Sequence, residues 1–409
     1  MKANTASRLR LYPDSVQAER LVSWTHTCRA VRNVALAERV WAYRSARRVT
    51  VRAVDQCVEL TEARREHEWL RDLPAQCAQR VLRQLDTAYD NFWNPAHPAG
   101  FPRFKRKRGR QGVAFPGQAV RIRKVSRRMA QVWLPKLGWV RLRLARPIEG
   151  VVRNAAVSQD GLGWHIAFGV HQPEPVEPLV NTGPPVGVDL GIACSVFLSS
   201  EESERQRPDI FSPGEKKRLR GLEQRKARQI VYAKRHSRGR YSKRLRRTIA
   251  QIATMKARQS RRRADWNHKL TADLANNHGL IAIENLCVSN MARSAKGTIE
   301  HPGRQVLQKA GLNRSIYDQG WFEIRRQLGY KAKRSGGTLV VVPAPGTSQT
   351  CAECGVRDPD SRRGCGRLFA CVHCGHTDHA DRNAAINIRD RALSTAGRAG
   401  PTVSGHGRS

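Results

Sequence analysis

Apolar positions recur at helical spacing over residues 14–47, where Val16, Leu21, Val22, Trp24, Val31, Ala35, Leu36 and Trp41 predict a long first helix behind a short strand, "SRLRLY". Asp14 or Ser15 is placed to cap it, because a short side-chain oxygen there can accept a free N–H of the first turn. A second helical stretch over residues 73–92 carries Ala78, Val81, Leu82, Leu85 and Ala88 on one side, and the two together read as a helical subdomain. The texture breaks at "NPAHPAGFPRFKRKRGRQG", where Pro and Gly stop the helices and a cationic run follows. Over residues 120–170 the pattern alternates: "VRIR", "VRLRL" with Val140, Leu142 and Leu144 on one face, and "WHIAFGV" behind the turn-like "QDGLG". A twisted antiparallel sheet or a small barrel fits that pattern.

The segment "HQPEPVEPLVNTGPP" reads as a linker, with a new domain from about Pro185. That domain opens with "VGVDLGIACSVFLSS", a buried strand, a Gly-flanked turn and a second strand. Residues 216–263 then hold 20 Lys and Arg and one acid, Glu223, with Leu222, Ile230, Leu245, Ile249 and Ile252 interleaved. Such a run can be a plain solvated face, but the apolar spacing predicts two long helices with a phosphate-facing side. Next come the strand "GLIAIENL", a long helix through "SIYDQGWFEIRRQLGYKAKRSGG", the strand "TLVVVPAPG", a cysteine cluster and the helix "DRNAAINIRDRAL". The tail, residues 393–409, is rich in Gly, Ser, Thr and Arg and is expected to be disordered. No solenoid-period repeat, Gly-Lys-Ser/Thr phosphate loop or Gly-x-Ser-x-Gly elbow occurs.

Charge narrows the partner. The 409 residues include 74 Lys and Arg against 34 Asp and Glu, a net charge of +40, far beyond what solubility needs, so a polyanion is expected. Nucleic acid is favoured over membrane: "MKANTASRLRLYPDS" lacks an apolar leader core, and runs such as "TLVVVPAPG" fall well short of the roughly 20 residues of a span. A cytoplasmic protein is the expectation. Of the ten cysteines, Cys28, Cys57, Cys77, Cys194 and Cys287 are scattered singly, whereas Cys351, Cys354, Cys365, Cys371 and Cys374 crowd together. This suits a reduced compartment and one metal site, not a disulfide framework.

Cys351-x-x-Cys354 and Cys371-x-x-Cys374 are separated by 16 residues, the spacing of a four-cysteine zinc ribbon, and Gly355 and Gly375 follow each pair to let the backbone curl round a metal. Four thiolates close the coordination sphere, so one Zn²⁺ in a structural role is expected. Cys365, His373 and His376 are spare candidates that otherwise read as loop residues.

Three acids stand out against their surroundings. Asp189 lies among Val186, Val188 and Leu190, where a charge costs several kcal/mol unless it meets a cation. Glu284 follows the apolar run of "LIAIEN", and Asp381 begins a helix whose Ala384 and Ala385 allow close approach to a sheet. Each alone reads as a hydrogen-bonded structural residue. Together, on two strands and one helix of a cationic protein, they suit a two-metal nuclease, in which two Mg²⁺ ions about 3.5–4 Å apart activate a water and stabilise the leaving 3′ oxygen of a phosphodiester. The plain alternative is a binding protein with three structural acids.

The ordered set "VGVDLGI", "IAIENLCVSNM", "TSQTCAECG", "FACVHCG" and "HADRNAAINI" resembles the RuvC-like nuclease of the TnpB proteins encoded by insertion sequences, relatives of the type V CRISPR effectors. "LRLYPDSVQAERL", "CRAVRNVAL" and "GFPRFKRKR" resemble that family's wedge and recognition regions, so nearly the whole chain is covered. The resemblance implies a multidomain α+β and α/β protein. It has a β-barrel wedge over residues 1–182 with a helical recognition subdomain inserted at about 14–95, and an RNase H-like (RuvC) nuclease domain over 183–346. A Cys₄ zinc ribbon at 347–377 and a final RuvC-like helix at 378–392 complete it. It implies that Asp189, Glu284 and Asp381 coordinate two catalytic Mg²⁺, and that a guide RNA derived from the mobile element pairs with double-stranded target DNA beside a short motif. A nucleoid-associated monomer is expected. The alternatives are an RNA-guided repressor that does not cut, and a DNA transposase. Asp378 is expected at the helix entry and not as a ligand. The loop "GVRDPDSRRGCGRLFA", with its extra Cys365, departs from the family's usual insert.

Overall fold

Alternation in the first strand sets the frame of the amino-terminal half. Ser7, Leu9 and Leu11 of β1 (Asn4–Tyr12) turn inward and are buried, while Arg8 and Tyr12 turn out. The computed structural model describes residues 4–95, 99–107, 109, 111–145, 147–171, 180–202, 204–363 and 367–398. Two units make up the chain, one of Met1–Val176 with Leu222–Ala257 and one of Glu177–Gly221 with Arg258–Ser409.

In the first unit β1 leads into α1 (Ser15–Arg44), and the cap falls on Asp14: its carboxylate accepts the Gln17 N–H at 2.8 Å while the Gln17 side chain accepts the Asp14 N–H at 3.2 Å. Next follow α2 (Ala53–Glu66), α3 (Glu68–Asp72) and α4 (Ala75–Trp93). Periodicity did not predict α2, which buries little beyond Ala53, Gln56 and Leu60. Cys77, Ala78, Val81, Leu82 and Leu85 of α4 share a core with Leu21, Trp24, Val31 and Leu36 of α1.

That core continues under a sheet of β1 with β2 (Gly112–Pro116), β3 (Arg121–Lys124), β4 (Met129–Leu134), β5 (Gly138–Arg143), β6 (Val151–Asp160) and β7 (Gly163–His171). Its seven strands run in the order β2-β6-β7-β1-β5-β4-β3, every pairing antiparallel, with β2 and β3 outermost. Phe115, Val132, Leu142 and Phe168 are fully buried beneath it, each such side chain contributing roughly 1.5–3 kcal/mol.

The second unit begins before Pro185: the Asn181 side-chain amide donates to the Ala275 and His278 carbonyls at 3.0 and 3.1 Å. Residues 172–179 of the expected linker lie outside the described residues. Strands β8 (Val186–Asp189) and β9 (Phe197–Leu198) precede the cationic helices α5 (Pro213–His236) and α6 (Lys243–Asn277), two helices as the apolar spacing predicts. Residues Leu222–Ala257 of this hairpin group with the first unit, unlike the continuous domain 183–346 expected from the sequence. Then come β10 (Leu280–Glu284), α7 (Val288–Met291), α8 (Val306–Gln319), α9 (Trp321–Arg334) and β11 (Thr338–Val342). The single long helix expected there is two, because Gly320 takes a left-handed conformation at φ 75° and ends α8.

The chain closes with the short strands β12 (Arg362–Arg363), β13 (Leu368–Ala370) and β14 (Thr377–His379), and with α10 (Ala380–Arg398). Helix α10 extends past residue 392, where the sequence reading ended it, and residues 399–409 of the expected tail lie outside the described set.

The central sheet runs β11-β10-β8-β9, with β11, β10 and β8 parallel and β9 antiparallel. Both faces of its parallel strands are covered, which is why they read as nearly continuous apolar runs. Val186, Val188, Ile281 and Ile283 pack with Leu274 of α6 and with Ile324 and Leu328 of α9. On the other face Ala282 and Val342 meet Ile388 and Ala392 of α10. Among the described residues no helix is long and apolar enough to cross a membrane.

Candidate active site and metal centre

Strand parity decides where the acids point. In β8, Val186 and Val188 face α6 and α9, so Gly187 and Asp189 face α10; in β10, Ile281 and Ile283 face the same way as the valines, so Ala282 and Glu284 also face α10. The parallel register sets Val188 against Ile283, which brings Asp189 and Glu284 level on neighbouring strands. Asp381 reaches them from the first turn of α10. That helix comes close because Gly187 has no side chain: a Cβ there would stand 1.9 Å from the Ala385 carbonyl oxygen.

Among the described residues only the four cysteines bring metal-ligating atoms all within 4.8 Å of one another; the acids are linked more loosely, through the charges that Asp189 feels. Burial first, then the charges of Glu284 and Asp381, push the Asp189 carboxyl up to about 8, against smaller opposing pulls from Arg362 and the Leu190 N–H. Burial also raises Glu284, opposed by a hydrogen bond from Thr347 and by the charges of Arg391 and Arg362. Arg362, on β12, approaches Asp381 at 3.5 Å. Two carboxyls raised chiefly by burial, with a guanidinium drawn towards them, have the chemistry to take a divalent cation.

Three further residues that the sequence reading missed hold this site. The Thr347 hydroxyl donates to the Glu284 carboxylate. Asn387 Nδ2 donates to the carbonyls of Thr347 and Thr350 at 2.9 and 2.7 Å. Asn383 donates to the Thr350 carbonyl at 2.8 Å and accepts the Ala352 N–H at 2.9 Å. Asn383 and Asn387 are buried one helical turn apart among Ala384, Ala385 and Ile388, a spacing of small polar residues on an apolar face that could have marked them. His379 accepts the Asp381 N–H through Nδ1 at 3.2 Å and stacks on Phe197 at 4.8 Å between centroids, which fixes the entry of α10. Asp378 accepts the His379 N–H at 2.7 Å and pairs with Arg382 at 3.4 Å.

The ribbon brings its four thiols together. Cys351, Cys354, Cys371 and Cys374 place all four sulfurs within 4.8 Å of one another, with Cys351–Cys374 at 3.7 Å and Cys354–Cys371 at 3.6 Å. A tetrahedral ion with Zn–S bonds near 2.3 Å sets its sulfurs about 3.8 Å apart, so the donor set fits a structural zinc. Gly355 and Gly375 take left-handed conformations at φ 73° and 76° and let each pair turn back, Cys351 N–H bonding the Val356 carbonyl and Cys371 N–H the His376 carbonyl. Backbone N–H groups of Cys374 and His373 help lower the Cys371 thiol to about 6. His373 lies 3.5 Å from Asp358, and Cys365 lies outside the described residues.

Family models match residues 1–48 ("Helix-turn-helix domain"), 166–295 ("Probable transposase") and 321–388 ("Cas12f1-like, TNB domain"). Within the first of these ranges the chain forms β1 and one unbroken helix, α1. The chain is 36% identical over 391 residues, 95% of its length and 92% of the relative's, to "Putative RNA-guided DNA endonuclease InsQ" of Escherichia coli (strain K12). It is 30% identical over 406 residues, 96% and 90% of the two lengths, to "Putative RNA-guided DNA endonuclease" of Streptomyces pristinaespiralis. A solved structure, "Cryo-EM structure of the Cas12f1-sgRNA-target DNA complex", aligns over 91% of this chain and 82% of its own at 14% identity, with a TM-score of 0.47.

Proposed function

From the premise that this chain belongs to the TnpB family of insertion-sequence-encoded proteins, we propose that it is an RNA-guided, Mg²⁺-dependent DNA endonuclease that cuts double-stranded target DNA beside a short motif. What supports the proposal is that Asp189 and Glu284 end neighbouring parallel strands on the face that α10 covers, and that the charges of Glu284 and Asp381 both raise the Asp189 carboxyl. In this reading the sheet β11-β10-β8-β9 with α10 is the RNase H-like nuclease. The four-cysteine module is a zinc ribbon inserted before the final helix, and the seven-stranded sheet with α1–α4 supplies the wedge and recognition parts. A guide RNA from the mobile element and the target DNA are the partners that a charge of +40 serves.

Asp189, Glu284 and Asp381 would hold the ions, which supply activation of the attacking water and stabilisation of the leaving 3′ oxygen. The residues around them prepare that site. Thr347 orients Glu284 and favours its ionised form. Asn383 and Asn387 lock the loop that carries Thr347 to the helix that carries Asp381, so Glu284, bonded by Thr347, is tied to that helix. Arg362 offers a cation at the edge of the site where a phosphodiester oxygen would approach.

A supercoiled plasmid carrying a matched target, incubated in Mg²⁺ with the copurified RNA, should be linearised by the native chain. Asp189→Ala, Glu284→Ala and Asp381→Ala should each leave it intact while RNA and target binding persist. Cutting at the native rate by any of the three would sink the assignment. An intact plasmid with the native chain, despite bound RNA, would favour the repressor reading.

A further inference from the structure

The outward face of β3, β4 and β5 carries chemistry that the nuclease site does not use. Strand β4 buries Ala130, Val132 and Leu134 and turns Gln131 and Trp133 outward; β5 buries Val140 and Leu142 and turns Trp139 and Arg141 outward; β3 exposes Arg121 and Arg123. The register aligns these side chains in two rows, Arg121–Trp133–Trp139 and Arg123–Gln131–Arg141. The Arg123 guanidinium lies 4.3 Å from the Trp139 ring centroid and donates to Gln131 at 2.7 Å, and the Arg121 guanidinium lies 5.6 Å from the Trp133 ring. Trp139 is 37% exposed.

The water-facing side of an antiparallel sheet ordinarily carries small polar or charged residues. Two directly opposed indoles among three arginines, with no carboxylate in either row, do more than keep a sheet soluble. Cation–π packing orients the guanidinium planes and the indoles beforehand, so flat π-faces and positive charge are presented together at little entropic cost. Flat π-faces take unpaired bases of any sequence, and the arginines take the phosphates between them. A duplex keeps its bases stacked inside and cannot use the indoles.

We infer that this sheet face is a stacking platform for unpaired bases of the guide RNA. The inference rests on the RNA-guided reading only for the identity of the strand; the surface chemistry stands by itself.

The test uses the full chain and a short adenosine-rich RNA carrying one 4-thiouridine, beside the same RNA made abasic, the same sequence as single-stranded DNA, and a duplex RNA. Trp139→Leu and Trp133→Leu should each weaken the base-bearing RNA about tenfold, Trp139→Tyr should restore it, and the abasic and duplex probes should change less than about twofold. Photo-crosslinking of the native chain should mark the peptides bearing Trp133 or Trp139, which decides the matter even if a leucine variant fails to fold. Equal weakening of base-bearing and abasic probes, or crosslinks confined to other peptides, would overturn the platform. Equal sensitivity of the DNA probe would overturn the assignment to RNA in favour of a displaced DNA strand. Loss of the platform with guided cleavage intact removes this inference alone, whereas an intact platform beside a chain that never cuts removes the nuclease reading alone.

Discussion

The backbone at Gly187 and the carbonyl of Ala385 meet so closely that a methyl group added at position 187 would stand 1.9 Å from that oxygen. This contact seats α10 on β8, and with it Asp381 beside Asp189. Gly187→Ala should force strand and helix apart, cost about 3 kcal/mol by overpacking, and reduce cleavage far more than RNA binding. Gly221→Ala, in α5 with open space around its Cβ, should instead stabilise by roughly 0.5–1 kcal/mol. Thermal melts of the two variants should move in opposite directions; a shared direction would contradict the packing account.

Asn387→Ala removes the donor to two carbonyls of the loop that carries Thr347. The expected cost is about 1–3 kcal/mol, and amide exchange over residues 347–352 should quicken before global unfolding. Unchanged exchange there would show that the loop is held by other contacts.

Thr347→Val keeps the volume and removes the hydroxyl that opposes the upward shift of Glu284. The Glu284 carboxyl should then hold its proton to higher pH, so the acidic limb of the cleavage profile should move upward, with little effect on RNA binding. A profile superimposable on the native one would remove Thr347 from the site.

The Asp189 carboxyl, raised to about 8 from an ordinary value of 3.8, sets the sign of two pH effects. Its protonated form favours the folded state, so the metal-free protein gains most from it below about pH 4 and loses that gain as pH rises towards about 8. In chelator at pH 8, Asp189→Asn should therefore melt higher than the native chain, with the order reversed in Mg²⁺. Calorimetric Mg²⁺ binding at pH 7 should release about one proton in the native chain and markedly less in Asp189→Asn. Equal melting of the two proteins in chelator would show that neither burial nor the neighbouring acids raise the Asp189 carboxyl.

Purified chain should carry about one zinc, and Cys351→Ser with Cys374→Ser should abolish it. Because Asn383 of α10 accepts the Ala352 N–H inside the first cysteine pair, zinc loss should loosen α10 and lower cleavage even though no acid is touched. Full zinc content in the double variant would refute the ligand set.

Much of the second unit was legible along the chain because its signals are local. The Cys-x-x-Cys spacing and the following glycines demand tight left-handed turns whatever surrounds them, and Gly355 and Gly375 adopt them. Acids ending apolar runs marked Asp189 and Glu284 as costly residues needing a partner. Helix α2 escaped because its one buried leucine gives no periodic stripe, and the break at Gly320 escaped because a glycine inside a helical pattern is tolerated as often as it terminates one. The ties from Thr347, Asn383 and Asn387 were hidden because each joins residues more than 30 positions apart.

By itself, then, the sequence determined most element types apart from α2 and the break at Gly320, the cationic character and the four-thiol cluster, and it set Asp189, Glu284 and Asp381 apart as acids in apolar surroundings, since each follows from the period, charge or spacing of neighbours in the chain. Only the tertiary structure decided that Asp189 and Glu284 face the same side of the sheet as α10, and that Arg362, Thr347 and the two asparagines close round them. Strand parity fixes two faces but not which helix covers which, and that choice is made by packing, where a glycine in β8 admits the small-residue face of α10.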